Sequence, residues 1–323
     1  MDKTKRLIPY VGYGKPNTLN LMGSVLYQTT MKEAKSEDSK WINAKRMLQL
    51  FLTKPTINEV VTIIFNNQSK KITTDKNGYF RVILNLDTDI KAGWHTVRYY
   101  LNKGTPYEVM VQNKCMVIDN SVAFGVISDI DDTIVISHSH RHRKKIWTAL
   151  SKNATTRKTN KDISRFYNKL HAGKNPFFYI SSSERNLYDF WTNFMETKGF
   201  PSGPLLLKEL KYGLTDFIFS GKGKHDHKYE KIASLLNFYP FLLFILVGDN
   251  GQKDMDIYHR IVLDFPGRIK SIFIVPVINK NLDKKIVHDC KAHNVDIISV
   301  KNIADAFKQL PNITKNKNRN FTE

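Results

Sequence analysis

The chain has 323 residues, 41% of them apolar and 25% charged, with two cysteines and fifty Lys and Arg against thirty Asp and Glu, a formal net charge of +20. That length suggests two domains of ordinary soluble composition; no apolar run reaches the about 18 residues of a membrane span and Met1–Arg6 leads into no secretory core, so the default location is cytoplasmic. Cys115 and Cys290 supply neither a disulfide scaffold nor a thiolate metal site, while the excess positive charge favours an anionic partner: a phospholipid surface, a nucleic acid or a phosphorylated substrate.

Residues 8–118 read as an all-β, sandwich-like domain. The segments Leu19–Tyr27, Glu59–Phe65, Lys71–Thr74, Tyr79–Leu86, Trp94–Leu101 and Tyr107–Ile118 are short, contain β-branched and aromatic residues, and are separated by Gly, Asn, Asp or Pro. Asp75-Lys76-Asn77-Gly78 is a hairpin signal, with Gly78 free to take a positive φ. One helix, Trp41–Leu52, follows a polar linker from Thr29 to Lys40. No catalytic constellation falls in this half, so its expected task is to pack against the second half or to hold a protein partner.

From Ser121 the rhythm becomes strand, helix, strand, which predicts a parallel sheet with helices on both faces over residues 119–310. The organising stretch is V-A-F-G-V-I-S-D-I-D-D-T-I, Val122 to Ile134. Its apolar run, Val122–Ile127, is rich in β-branched residues and too short for an ordinary helix, so it reads as a buried strand. Side chains two apart on a strand share a face, so Asp129 and Asp131 should converge at the end where open α/β sheets bind ligands. Adjacent carboxylates resist ionising together, which implies a shared proton or a metal; oxygen-only ligands favour Mg²⁺. An acidic turn that binds Ca²⁺ or nothing is the plainer alternative.

An insertion follows, residues 137–175. Arg141 to Lys174 holds eleven Lys and Arg against one acid, Asp162. Helices are predicted near Lys144–Leu150 and Ile163–Leu170, and the whole reads as a small basic lid. His138, His140 and His142 alternate and could face one way to bind Zn²⁺, or belong to a solvated basic loop.

Phe177–Ile180 is the next predicted strand, ending in Ser181-Ser182-Ser183 before a helix from Glu184 to Lys198. A hydroxyl at a strand's end can donate to a phosphoryl oxygen, and a helix N-terminus behind it adds N–H donors; a serine helix cap has the same sequence signature. Gly221-Lys222-Gly223-Lys224-His225-Asp226-His227-Lys228 leads into a helix ending at Phe238, without the spacing of a nucleotide P-loop. A lysine on a helix's first turn opposes the helix dipole, which makes sense if it faces carboxylates and phosphate. Lys228 is the best-placed candidate, with Lys222 and Lys224 as alternatives. Phe241–Val247 is a third buried strand, closing on Gly248-Asp249 with Asp254 a turn later. Asp249 can complete a Mg²⁺ shell with Asp129, and Asp254 can orient waters or Lys228; a helix cap is the alternative role for Asp249. The polar tail, residues 311–323, is expected to be disordered.

D-I-D-D-T, the strand-end serine, a helical lysine and G-D-x-x-x-x-D together resemble the haloacid dehalogenase superfamily of phosphotransferases. Pro9-Tyr10-Val11-Gly12-Tyr13-Gly14, Gly93-Trp94-His95, Gly199-Phe200-Pro201-Ser202-Gly203-Pro204, His227-Lys228 and Phe265-Pro266-Gly267-Arg268 resemble, more narrowly, the actin-patch-type phosphatidate phosphatase family over residues 8–277. Glu184 and Arg185 stand where that pattern has an aromatic and a proline.

The resemblance implies an α/β, Rossmann-like haloacid dehalogenase core with a small basic cap, behind the β domain. It implies a Mg²⁺-dependent phosphatase converting phosphatidate to diacylglycerol, peripheral to an anionic phospholipid surface. Asp129 would be the nucleophile and Asp131 the general acid and base. Ser181 and Lys228 would stabilise the phosphoryl oxygens, Thr133 and Ser182 would meet the substrate, and Asp129, Asp131, Asp249 and Asp254 would form the metal site. A soluble or nucleic-acid phosphoester as substrate, or a non-enzymatic adaptor working through the β domain, are the rivals.

Overall fold

The computed structural model describes residues 4–27, 53–130, 133–134, 161–208, 226–250, 253–276, 281–300 and 306–310. The predicted helices Trp41–Leu52 and Lys144–Leu150, the three histidines, Lys222, Lys224, Asp131 and the tail 311–323 lie outside them.

The first half is built from β1 (Lys5–Pro9), β2 (Gly12–Lys15), β3 (Thr18–Tyr27), β4 (Val60–Phe65), β5 (Gln68–Thr73), β6 (Tyr79–Asn85), β7 (Gly93–Leu101) and β8 (Val109–Val117). Seven form one hydrogen-bonded path, β1-β3-β2-β8-β7-β4-β5, and β6 pairs with β3. In β6 the apolar Phe80, Val82 and Leu84 alternate inward against Arg81 and Ile83. They share a core with Leu19 and Leu21 of β3, Val61 and Ile63 of β4, and Val97 and Tyr99 of β7, so strands far apart in the sheet close over one apolar cluster.

The Asp75–Gly78 turn forms, with Gly78 at φ 65° and Asp75 Oδ1 accepting the amides of Asn77 at 2.8 Å and Tyr79 at 2.9 Å. It is not a hairpin, because β5 pairs with β4 and β6 with β3. The Val25 amide donates to the Gly78 carbonyl at 2.7 Å, which draws the chain onto β3. β5, carrying Lys70 and Lys71, is left as a charged edge.

The second half is a six-stranded sheet, all parallel: β9 (Gly125–Asp129), β10 (Phe177–Glu184), β11 (Leu205–Lys208), β12 (Phe244–Asp249), β13 (Ile269–Val275) and β14 (Asp296–Ser299). The spatial order is β11-β10-β9-β12-β13-β14. The chain starts in the middle, builds outward twice, then returns beside its first strand, so the order reverses between β9 and β12. Helices among the described residues of this half include α1 (Lys161–His171), α2 (Tyr188–Thr197), α3 (Asp226–Phe238), α4 (Asp254–Asp264) and α5 (Lys284–Ala292).

Several boundaries differ from the sequence reading, and those around β9 and β10 bear on the site. β9 starts at Gly125 rather than Val122 and runs through Asp129. β10 continues through all three serines to Glu184, because Glu184 still pairs with Lys208 of β11 past an irregularity. A short 3-10 turn, Arg185–Leu187, then precedes α2. Neither Glu184 nor Leu187, the capping positions, makes a side-chain cap, so no serine caps a helix here and no α-helix starts directly behind Ser181.

The last part of the expected lid is not a lid. Ile163, Phe166, Tyr167 and Leu170 recur at i, i+3, i+4 and i+7, and all four are buried in the main core, so α1 packs into the body of the protein. Arg268, of the Phe-Pro-Gly-Arg stretch, is a structural clamp: its guanidinium donates to the carbonyls of Leu236 at 3.0 Å, Tyr239 at 2.6 Å and Leu242 at 3.0 Å, where α3 gives way to β12.

Candidate active site

Asp129 ends β9 and Asp249 ends the adjacent β12, at the point where the strand order reverses. Five residues beyond Asp249, Asp254 opens α4. All three carboxylates are buried, and one oxygen from each lies within 4.8 Å of the others. Lys228, on the first turn of α3, reaches into the group: its Nζ is 2.7 Å from Asp129 Oδ1 and 2.7 Å from Asp254 Oδ1. Burial pulls the Lys228 ammonium down, but the two carboxylates outweigh it and hold its pKa above the ordinary lysine value.

The supporting geometry is local. Asp254 Oδ2 accepts the Asp249 amide at 3.3 Å. Tyr258, one turn along α4, donates its hydroxyl to the Val247 carbonyl at 2.9 Å. Gly248 permits this approach, since a Cβ there would stand 2.8 Å from Asp254 Oδ2 and from the Tyr258 hydroxyl. Thr133 Oγ1 lies 3.4 Å from Asp129 Oδ2, a long hydrogen bond.

Ser181 is one residue past the Ile180–Asp129 register pair, fully buried, and its Oγ accepts the Ser183 amide at 2.9 Å. Ser182 is turned towards α3, its Oγ 3.3 Å from His227 Nε2. Of the predicted residues, the structure therefore brings Asp129, Asp249, Asp254, Lys228 and Thr133 together, sets Ser181 at the neighbouring strand's end, and directs Ser182 to His227. Asp131 lies outside the described residues.

Two contributors escape the sequence reading. The Ser128 hydroxyl donates to the Asp129 carbonyl at 2.7 Å and lies 2.7 Å from the Tyr167 hydroxyl on α1. Burial, with a lesser push from the Asp129 charge, raises the Tyr167 pKa far above the phenol range, against the Ser128 bond that lowers it. This chain of hydroxyls fixes the backbone that carries the Asp129 side chain. The stripe of Phe166, Tyr167 and Leu170 was the signal that α1 packs inward.

Three buried carboxylates facing one ammonium leave an excess of negative charge among the described residues, and buried charge is costly unless compensated. An oxygen-only donor set of this kind suits a hard divalent cation. The group can also present Asp129 as a nucleophile, with Lys228 beside it to meet a second anion.

Comparison with known proteins bears on the same residues. The family model described as "Phosphatidate phosphatase APP1, catalytic domain" matches residues 124–275. The chain is 28% identical over 193 residues to phosphatidate phosphatase APP1 of Saccharomyces cerevisiae, covering 59% of this chain and 31% of that protein. It is 22% identical over 242 residues to an uncharacterized protein of Schizosaccharomyces pombe, covering 72% and 38%. The chain thus spans about a third of the length of the curated relatives it matches. Among solved structures, a carbohydrate acetylesterase from Xanthomonas citri aligns over 90% of this chain and 73% of its own at 11% identity and a TM-score of 0.30, a likeness that carries no argument.

Proposed function

We infer that this chain, whose residues 124–275 carry the catalytic domain of the APP1-type phosphatidate phosphatase family, is a phosphoric monoester hydrolase that acts on phosphatidate through an aspartyl-phosphate. The observation that carries the reading is the buried Lys228 held between Asp129 and Asp254 at the reversal point of a parallel sheet. The strand order supports a haloacid dehalogenase type of core for residues 119–310, with the β body of residues 8–118 as a second domain.

In the proposed reaction Asp129 attacks phosphorus in line. A bond forms from its carboxylate oxygen to phosphorus as the bond to the leaving oxygen breaks, and Asp131 gives that oxygen its proton. Asp131 then takes a proton from water, whose oxygen attacks the aspartyl-phosphate, frees inorganic phosphate and restores the Asp129 carboxylate. Lys228 and Ser181 stabilise the equatorial oxygens, while Thr133 and Ser182 contact the substrate. Asp129, Asp249 and Asp254, with Asp131, are the residues that would hold Mg²⁺; the ion would supply neutralising charge at the phosphoryl group.

Among the described residues no helix is long and apolar enough to cross a membrane. The net charge of +20 supports reaching a lipid substrate by electrostatic attraction to an anionic bilayer surface. Phosphate release from phosphatidate in mixed micelles, with Mg²⁺ and with chelator, tests the reading beside a panel of soluble phosphoesters. Wild type should release phosphate from the lipid only with Mg²⁺, and Asp129→Asn should release none while keeping the circular dichroism of the folded protein. Normal turnover by Asp129→Asn would sink the nucleophile assignment; release from soluble esters alone would keep the chemistry and remove the lipid.

A further inference from the structure

Between the β body and the parallel sheet lies a cleft of about 780 Å³. Its described lining carries five cations, Lys76 and Arg81 from the β side and Arg185, Lys208 and Lys231 from the other, against one carboxylate, Glu230. Neither Lys228 nor any of the three catalytic carboxylates is among that lining. The volume is within the range of small-molecule sites, roughly 300–1,000 Å³, and a concave wall of one sign concentrates its field on an incoming anion.

Both guanidinium groups are held in place. The Arg185 guanidinium stacks on Tyr79, 3.5 Å from the ring centroid, and Arg81 is aimed by Nε donating to Asn20 Oδ1 at 3.0 Å, with a terminal nitrogen 3.5 Å from the Tyr13 hydroxyl. Guanidinium groups fixed in this way are preorganised for the bidentate geometry of a phosphoryl group. The cleft also meets the catalytic residues from the side. His227, on its lining, immediately precedes Lys228, and its Nε2 lies 3.3 Å from Ser182 Oγ.

We propose that this inter-domain cleft is a second anion site, distinct from the catalytic carboxylates, that binds a phosphoryl-bearing ligand. Its chemistry is shared by a phosphorylated lipid headgroup and a soluble phosphate compound. The inference requires no turnover and stands apart from the reaction proposed above.

The test is titration calorimetry of the full chain with inorganic pyrophosphate in chelator, where the uncompensated catalytic carboxylates repel anions. Saturable binding is expected, weakened at least tenfold in Lys76→Glu/Arg81→Glu and changed less than twofold in Lys91→Glu/Lys103→Glu, which alters the net charge equally away from the cleft. If charge reversal disturbs the circular dichroism, Lys76→Gln/Arg81→Gln carries the same comparison. Equal weakening in both double variants, no weakening in either, or no binding to wild type would overturn the proposal. Flotation with phosphatidylcholine vesicles containing phosphatidylinositol bisphosphate then separates the sources. Capture that pyrophosphate reverses assigns a lipid headgroup; pyrophosphate binding without capture assigns a soluble ligand.

Discussion

Lys228 has two carboxylate oxygens at 2.7 Å, from Asp129 and Asp254, and all three side chains are buried. Removing one partner of such a group leaves the others buried and uncompensated, which costs about 3–5 kcal/mol. Lys228→Met should therefore lower the denaturant midpoint and also reduce kcat by about two orders of magnitude or more, the usual effect of losing a charge-stabilising donor. Full activity in a destabilised Lys228→Met would make the lysine purely structural. Ser128 and Tyr167 invite a different experiment. Ser128→Ala strands a buried phenol and removes a hydrogen bond from the Asp129 carbonyl, at about 1–3 kcal/mol; Tyr167→Phe keeps the Ser128 bond to Asp129 and should cost less. Additive losses in the double variant would mean that the two hydroxyls do not act as a unit. Asp129, Asp249, Asp254 and Lys228 were legible because strand ends and first helical turns have sequence signatures. Ser128 was not, since a serine one residue before a strand-end aspartate looks like any buried small residue, and Tyr167 was masked by the basic charge around it.

At the level of elements, strands with strong β-formers between clear turn residues were readable, whereas those defined by partner geometry were not. β2 is Gly-Tyr-Gly-Lys, poor in β-formers, yet a Cβ at Gly12 would meet Leu21 Cδ2 at 2.8 Å and one at Gly14 would meet the Thr18 carbonyl at 2.6 Å, so close pairing demands the residues that hide the strand. β11 has four residues and follows Pro204, too little for a periodic signal. Its approach depends on Gly203, where a Cβ would sit 2.0 Å from the Phe177 carbonyl oxygen. That atom is backbone and cannot rotate away, so Gly203→Ala must shift β11 relative to β10, at about 1–3 kcal/mol or more. Because Lys208 of β11 lines the basic cleft, the variant should also weaken pyrophosphate binding. An unchanged melting temperature for Gly203→Ala would show that the edge strand adjusts freely.

For the whole molecule, the two sheets are too closely joined to behave as beads on a string. Tyr10 stacks on Tyr188 with ring centroids 4.0 Å apart, and the Tyr188 hydroxyl accepts the Val11 amide at 2.7 Å. Tyr13 meets Phe178 and Phe238 edge-on, the Tyr239 hydroxyl donates to the Gly14 carbonyl at 3.2 Å, and Arg6 pairs with Asp189 at 2.7 Å. Tyr10, Tyr13, Met22, Met116 and Ile118, all from the β side, are buried in the core of the parallel sheet rather than in the β core. An apolar boundary of this kind couples the stabilities of the halves, because unfolding either one exposes aromatic surface on the other. Burial holds the Tyr188 phenol up at about 12, so this contact stays neutral and intact across ordinary pH. The full chain should accordingly melt in one transition, with calorimetric and van't Hoff enthalpies equal. Tyr188→Ala, which removes both the stack and the Val11 partner, should split that melt into two transitions or drive the enthalpy ratio well above one. Two transitions in wild type would mean that the aromatic boundary does not couple the halves, and would place the basic cleft between bodies free to move apart.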